Sequence, residues 1–274
     1  MSGLRAVLFD FFGTLTTAVE RGTAHANIAR QLGCSPAAFN AELDRSFATR
    51  ARGGYGSPIE ALRRVARDAG GTPSEDQLAA ALAARVAAVR ADTLLRPETV
   101  PVLAALRRRG LLTGVVSDCC HELPLFLPAM PIAPLLSTCV YSIDLATCKP
   151  DPRMYLVACE RLSVRPQQCL YVGDGGSREL SGAAAVGMTP VRLVAEDLAW
   201  HLRFDADDDW VGREIPALSE SLALVAGLPA RPRRGGLIPL RWTGAGRRSD
   251  RAAAETSRRR RTGNRLRPDR RTTH

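Results

Sequence analysis

The chain has 274 residues, with 38 Lys and Arg, 28 Asp and Glu and a net charge of +10, which is room for one large domain or a domain carrying an insertion. The charge is unevenly spread: residues 229–274 hold 15 Arg against Asp250, Glu255 and Asp269, so residues 1–228 are close to neutral and do not form a basic nucleic-acid-binding body. Seven cysteines, an odd number without C-x-x-C or Cys/His ligand spacing, exclude a disulfide framework and point to a reduced, cytoplasmic setting; no apolar run approaches the ~20 residues of a membrane span, and the N-terminus lacks a signal peptide's basic-then-apolar build.

Residues 4–10 predict a buried strand, an apolar run (Ala6-Val7-Leu8-Phe9) closed by Asp10. From 17 to about 95 the pattern is helical, with about four helices. Ser35-Pro36 and Ser57-Pro58 each offer an N-cap serine followed by proline at the first helical position, where its missing N–H costs nothing. Ser74 and Gln77 form a capping box ahead of a helix over Leu78–Val89. Gly53-Gly54-Tyr55-Gly56 is a loop between two of these helices. After Arg96-Pro97 the spacing predicts a helix over 98–109, a strand over 112–117, a proline-rich loop over 124–134 and a strand over 138–142. A helix over 152–162, a strand over 168–173, a helix over 178–186 and a strand over 189–194 complete the series. Short apolar runs alternating with helices mean an α/β fold, a parallel sheet with helices on both faces. The helical block at 17–95 interrupts the first crossover, so a core of 1–16 and 96–228 carries it as a cap over the strand ends. Residues 229–274 lack apolar periodicity and read as a disordered, Arg-rich tail, a solvated appendage. Nucleic acid enters only as the alternative for this tail, through phosphate contacts, with Trp242 its one aromatic.

Only one basic side chain is lysine: Lys149, in Cys148-Lys149-Pro150-Asp151-Pro152. An ammonium is a compact point charge and a guanidinium a planar fork, so the two are not interchangeable in a tight charged site. Three strand ends add short polar side chains: Asp10, Ser117-Asp118 and Gly173-Asp174. Open α/β sheets bind their ligands at such ends. Asp10 is the candidate nucleophile, able to form a covalent aspartyl intermediate that water then opens; alone it would read as a turn cap. Asp10, Asp174 and Glu179 offer the oxygen ligands that Mg²⁺ takes, although Glu179 alone reads as an acid favoured in a helix's first turn. Ser117 offers a hydroxyl to a phosphoryl oxygen, and Lys149 pairs with the nucleophile. Phe12, Gly13, Thr14 and Asp118 lie beside these groups and are candidates to touch the substrate.

Together these segments resemble the haloacid dehalogenase-like (HAD) hydrolase superfamily with a helical cap inserted after the first motif. Asp10-Phe11-Phe12-Gly13-Thr14-Leu15, Ser117-Asp118, Lys149-Pro150-Asp151-Pro152 and Gly173-Asp174 through Glu179 are similar to its four motifs in order, followed by Gly182-Ala183 and Gly187-Met188. The resemblance implies a Rossmann-like core, a mobile cap that sets specificity, Asp10 as nucleophile, and Mg²⁺ held by Asp10, the Phe12 carbonyl, Asp174 and Glu179. It also implies a small anionic, phosphorylated substrate. Two positions depart: the family's phosphatases carry a second aspartate, an acid–base, where this chain has Phe12, and, more mildly, Glu179 stands where the family usually has an aspartate of the same charge. The family's 2-haloacid dehalogenases also lack the acid–base aspartate but use no metal. Three readings stay open: a Mg²⁺-dependent phosphohydrolase or phosphotransferase restricted to good leaving groups, a dehalogenase-type hydrolase acting on carbon, and a catalytically weak or non-enzymatic scaffold.

Elsewhere, Arg50, Arg52 and Tyr55 flank the glycine loop of the cap and are candidates to reach an anionic substrate. His25, His121, His201 and His274 are scattered and form no motif. Cys119-Cys120 reads as buried structural cysteine beside the second motif. The run Asp205, Asp207, Asp208, Asp209 reads as a solvated turn, since it lacks the glycine and closing glutamate of a calcium loop.

Overall fold

The structure is a computed structural model that describes residues 3–201 and 203–226. The predicted tail at 229–274 lies outside the described residues. Six parallel strands form one sheet in the order β3-β2-β1-β4-β5-β6: β1 (Ala6–Phe9), β2 (Leu112–Ser117), β3 (Thr138–Tyr141), β4 (Cys169–Gly173), β5 (Thr189–Leu193) and β6 (Arg213–Ile215). Every residue of β1 and β4 is buried, as expected for strands covered on both faces. The pleat divides β1 between two cores. Val7 and Phe9 pack with Val102, Leu103 and Leu106 on one face, while Ala6 and Leu8 pack with Tyr155, Ala158 and Leu180 on the other.

The segment inserted after β1, up to residue 95, carries five helices: α1 (Thr23–Gln31), α2 (Pro36–Arg45), α3 (Phe47–Ala51), α4 (Pro58–Asp68) and α5 (Glu75–Asp92). They enclose a hydrophobic cluster of their own that includes Ile28, Phe39, Leu43, Leu62, Val65 and Leu78. The predicted starts recur in atomic detail. Ser35 Oγ accepts from the Ala38 N–H and Ser57 Oγ from the Glu60 N–H, and the Ser74–Gln77 capping box is complete. The α5 helix runs longer than the predicted 78–89, because the box caps it from Glu75 and its apolar and arginine residues continue to Asp92. The short α3 is a fifth helix where about four were expected.

The remaining helices are α6 (Thr99–Arg108), α7 (Glu122–Phe126), α8 (Ser142–Leu145), α9 (Pro152–Leu162), α10 (Glu179–Ala185) and α11 (Ser221–Leu224). The α5 helix packs on α7, joining the helical block to the sheet. The edge strand β6 was not predicted: it has three residues, two of them exposed. Nor is the acidic run a wholly solvated turn. Asp207 is buried and accepts from the Leu180 and Ser181 N–H groups, capping α10. Among the described residues no helix is long and apolar enough to cross a membrane.

Sheet register fixes the site. Phe9 pairs with Val115 on one side and Val172 on the other, so Asp10, Ser117 and Asp174 emerge within one or two residues of each other at the same edge. The strand order reverses direction between β1 and β4, which opens a crevice there. Asp10 and Asp174 stand on its two sides.

Candidate active site

Lys149 is the hub. Its Nζ donates to Asp10 Oδ1 at 2.7 Å and to Glu179 Oε2 at 2.6 Å, and all three side chains are buried. Its own N–H donates to Asp118 Oδ1 at 3.0 Å, tying the second motif to the third. Glu179 is held further by the Tyr171 hydroxyl at 2.8 Å and the Gly175 N–H at 3.0 Å. A Cβ on Gly173 would lie 2.1 Å from Glu179 Oε1, so glycine is needed for this close approach.

Asp10, Asp174 and Glu179 each place a carboxylate oxygen within 4.8 Å of the others. Burial pushes Asp10 up to about 6, against the pull of Lys149 and with the help of Asp174. Burial also raises Asp174 to about 6, assisted by Glu179, and Glu179 to about 7 despite Lys149. Burial would lower Lys149, yet Asp10 and Glu179 hold it well above the ordinary lysine range. These directions agree physically: one ammonium stays charged among three carboxylates but cannot keep all three ionised. Asp174 Oδ2 is the group left over, buried with no hydrogen-bond partner.

The loop after Asp10 is held from outside. Arg96 donates to the carbonyls of Gly13 (2.9 Å) and Thr14 (3.1 Å) and forms a bidentate pair with Asp197. Asp197 also accepts from the Ala18 N–H at 2.8 Å. The same segment brings His201 over the site. A Cβ on Gly13, whose φ is +76°, would lie 2.8 Å from the His201 ring and 3.0 Å from Asp174 Oδ2. His201 Nε2 is 3.8 Å from Asp174 Oδ2, and the Val19 N–H donates to Nδ1 at 3.4 Å. That bond places the proton of the neutral ring on Nε2, and burial lowers the imidazole below its ordinary value despite Asp174. His201 therefore offers a neutral N–H.

A cavity of about 500 Å³ runs from this cluster into the helical block. Asp10, Phe12, Asp118, Lys149 and Asp174 line its floor, and Arg50 and Arg85 line it from the helices. Several predicted contacts do not reach it. Ser117 is fully buried and its hydroxyl donates to the Asp118 carbonyl at 3.4 Å. Gly13 lies beneath His201, and Thr14 is buried with its hydroxyl unpartnered. Arg52 is exposed at the end of α3, and Tyr55 packs on the cluster inside the helical block with Arg64 5.9 Å above its ring. Glu179 belongs to the carboxylate cluster but stands behind Lys149, off the cavity wall. Cys120 lines the cavity 2.9 Å from Arg50 Nη1, yet burial raises its thiol to about 12, so it is a packed thiol rather than a nucleophile.

His201 escaped the sequence reading because no neighbour marks it. Its one signal is position: it follows the C-terminal end of β5, the same edge that carries Asp10 and Asp174.

A buried Asp–Lys pair stands at the switch point of a parallel sheet, with further acids on the adjoining turn, where open α/β sheets bind their ligands. The profile of haloacid dehalogenase-like hydrolases matches residues 4–187, and the chain belongs to that family. Its relatives are enzymes of two kinds. The (S)-2-haloacid dehalogenase 1 of Pseudomonas sp. (strain CBS-3) is 35% identical over 98 residues, 35% of this chain and 43% of that protein. The glyceraldehyde 3-phosphate phosphatase of Methanopyrus kandleri is 31% identical over 133 residues, 48% of this chain and 55% of that protein. The chain thus spans about half the length of these curated relatives. The structure of L-2-haloacid dehalogenase from Xanthobacter autotrophicus with chloropropionic acid covalently bound aligns at a TM-score of 0.57 and 21% identity, covering 82% of this chain and 99% of that one, a likeness of fold.

Proposed function

We propose that this hydrolase is a Mg²⁺-dependent phosphohydrolase or phosphotransferase that works through an aspartyl phosphate on Asp10. Its substrates are small phosphorylated anions whose leaving group departs without a proton. The observation that carries the reading is Asp174. Its Oδ2 is buried without a partner beside Asp10, and the cluster sets three carboxylates against one ammonium. Asp174 Oδ1 accepts from the Gly176 N–H at 3.1 Å, but a buried carboxylate oxygen left without a hydrogen bond is costly, and a divalent cation is the group that balances this set. Asp10, Asp174 and the Phe12 carbonyl would hold it, with Glu179 behind them. When bound, it supplies charge neutralisation at the phosphoryl group.

The chain's own residues do the rest. An Asp10 carboxylate oxygen attacks phosphorus, the bond to the leaving oxygen breaks, and that oxygen departs as an anion. Water then attacks the aspartyl phosphate, the bond between phosphorus and the Asp10 oxygen breaks, and inorganic phosphate leaves with the water's oxygen. Lys149 holds Asp10 aligned and balances the charge passing through it. Neither Phe12 nor His201 brings an acid: one is a hydrocarbon, and the other has Nδ1 occupied and only a neutral N–H to offer. This supports acyl and aryl phosphates over alkyl ones. Seven free cysteines, including Cys159 and Cys169 with Sγ atoms 3.7 Å apart, support the reducing, cytoplasmic setting.

A dehalogenase-type attack on carbon is the second reading. Glu179 favours it, because its carboxylate is taken up by Lys149, Tyr171 and the Gly175 N–H. Phosphate release from acetyl phosphate and p-nitrophenyl phosphate separates the two. The expected result is release that requires Mg²⁺ and is lost in Asp174→Asn. Chloride release from 2-chloropropionate in chelator, with no phosphate release, would transfer the assignment to carbon.

A further inference from the structure

Arg85 of α5 lines the cavity at 8% exposure, and its environment is incomplete. Its Nε donates to Glu122 Oε1, the first residue of α7, and Nη1 is buried without a partner. Neither Nη group has a hydrogen-bond acceptor among the described residues. A guanidinium is a planar fork that matches a carboxylate with two parallel N–H···O bonds. Here only one arm is used, and the two arms that make a fork are left open in a wall that closes on the site.

The surrounding charges favour an anion rather than another cation. Arg50 is 6% exposed and has no carboxylate of its own: Nε donates to Ser46 Oγ at 3.0 Å, Nη2 to the Leu43 carbonyl at 2.6 Å and Nη1 to Cys120 Sγ. Burial lowers Arg50 in spite of nearby Cys120, and Arg85 lowers it further, so the two guanidiniums repel each other. Glu122 is held low, hence ionised, by Arg85 against the effect of burial. The Asp92 carboxylate accepts from the Gly22 N–H at 3.0 Å and lies 2.9 Å from His25 Nδ1, and Arg21 is paired with Asp44. Among the described residues, Glu122 is the one carboxylate that bonds either of these two buried guanidiniums, and it bonds Arg85 through Nε alone. Phe12, Phe47 and Val89 line the same cavity and give it an apolar stretch.

We propose that Arg85 binds a carboxylate at the far end of the substrate, so that the enzyme takes phosphorylated carboxylic acids with an apolar link between their two ends. This rests on the phosphohydrolase reading and adds the substrate class to it. Arg50 contributes charge to this subsite without spending a donor on it.

The test compares 3-phosphonopropionate with propylphosphonate, which lacks the carboxylate, as ligands of the full-length protein in Mg²⁺ by titration calorimetry. The native protein is expected to bind the carboxylate-bearing ligand about tenfold tighter or more, the range of a charge-assisted hydrogen-bonded contact. In Arg85→Lys, which keeps a cation beside Glu122 but removes the fork, the advantage should fall below about threefold. Glu122→Gln keeps the fork, removes the competing carboxylate and should widen the advantage. Equal binding of the two ligands by the native protein overturns the subsite alone. An advantage undiminished in Arg85→Lys, or reduced in Glu122→Gln, overturns the role of Arg85. If neither phosphonate binds the native protein, the phosphohydrolase reading falls and takes the subsite with it.

Discussion

The floor and the upper wall of the cavity acquire their charges in different ways. On the floor and just behind it, Asp10, Lys149, Asp174 and Glu179 come from four positions spread over most of the chain and meet within a few ångströms because the sheet brings its strand ends together. The helical block adds pairs within single helices: Glu42 with Arg45, Glu60 with Arg63, and Arg64 with Asp68. The last two are partly exposed, and exposed i,i+3 and i,i+4 pairs stabilise by only about 0.2–0.5 kcal/mol each. Arg50 and Arg85 are the exceptions, buried and turned inward. The proposed chemistry thus sits on long-range charge convergence, and the proposed carboxylate subsite on the rarer inward arginines.

The largest expected effect falls on the floor. Asp10→Asn should lower turnover by more than about 10⁴-fold, as loss of a nucleophile does, measured as phosphate release from acetyl phosphate with circular dichroism confirming the fold. Retention of more than a hundredth of the native rate would remove Asp10 from its role. Lys149→Met tests convergence itself. Removing one partner from a buried pair costs about 3–5 kcal/mol, so urea unfolding at pH 8 should show a loss of that size. The loss should shrink at pH 5, where the carboxylates left behind can take up protons. A loss below about 1 kcal/mol at pH 8, the range of a surface pair, would mean that the hub is no hub.

Phe12→Asp addresses the missing acid. General acid–base help contributes about 10²–10⁴-fold, so the variant should raise kcat/KM on an alkyl phosphate such as glycerol 3-phosphate by about 10²-fold relative to acetyl phosphate. An unchanged ratio would show that the proton comes from elsewhere.

The acid cluster also gives a pH signature. Asp10 and Asp174 lie near 6 and Glu179 near 7 in the folded protein, against ordinary values of 3.8 and 4.5. Between those values the metal-free folded state binds more protons than the unfolded chain. The cluster's contribution to stability is therefore fully present below pH about 4 and lost as pH rises through 6 to 7. A divalent ion binds the ionised carboxylates, so Mg²⁺ should raise Tm by about 3 °C or more at pH 8 and by less at pH 5. Equal shifts at the two pH values would separate the ion from these three acids.

The same contrast explains what the sequence disclosed. Strand ends were legible because β1, β2 and β4 are apolar runs stopped abruptly by Asp10, by Ser117-Asp118 and by Gly173-Asp174, and parallel register does the rest. The edge strand β6 was not, since two of its three residues face solvent and leave no alternation to read. Within α5, alanine recurs on every face, so nothing in the sequence says which way Arg85 turns. The packing of α5 on α7 decides it, through Glu122. Arg52 and Tyr55 flank the glycine loop of the cap, but Arg52 is exposed at the end of α3 and the helical cluster claims Tyr55. His201 depends on a clamp, Arg96 with Asp197, whose members are 101 residues apart. Motifs record strand geometry; they carry no record of helix packing or of such clamps.

The smallest expected effect tests whether the helical block is stabilised locally. Ser74 Oγ accepts from the Gln77 N–H at 3.3 Å, and Gln77 Oε1 accepts from the Ser74 N–H at 2.8 Å. Gln77 Nε2 reaches across to the Gln31 carbonyl at 3.0 Å, joining the start of α5 to the end of α1. Ser74→Ala removes only the cap and should cost about 1 kcal/mol. Gln77→Ala removes the reciprocal bond and the tie to α1, so it should cost more than Ser74→Ala by about 0.5–1.5 kcal/mol, one ordinary hydrogen bond. Both variants should leave the ratio of acetyl phosphate to p-nitrophenyl phosphate turnover within about twofold of native, since neither residue lines the cavity. If Ser74→Ala shifted that ratio as strongly as Phe12→Asp does, the block and the floor would be energetically one structure, and the separation between locally paired and convergent charge would fail.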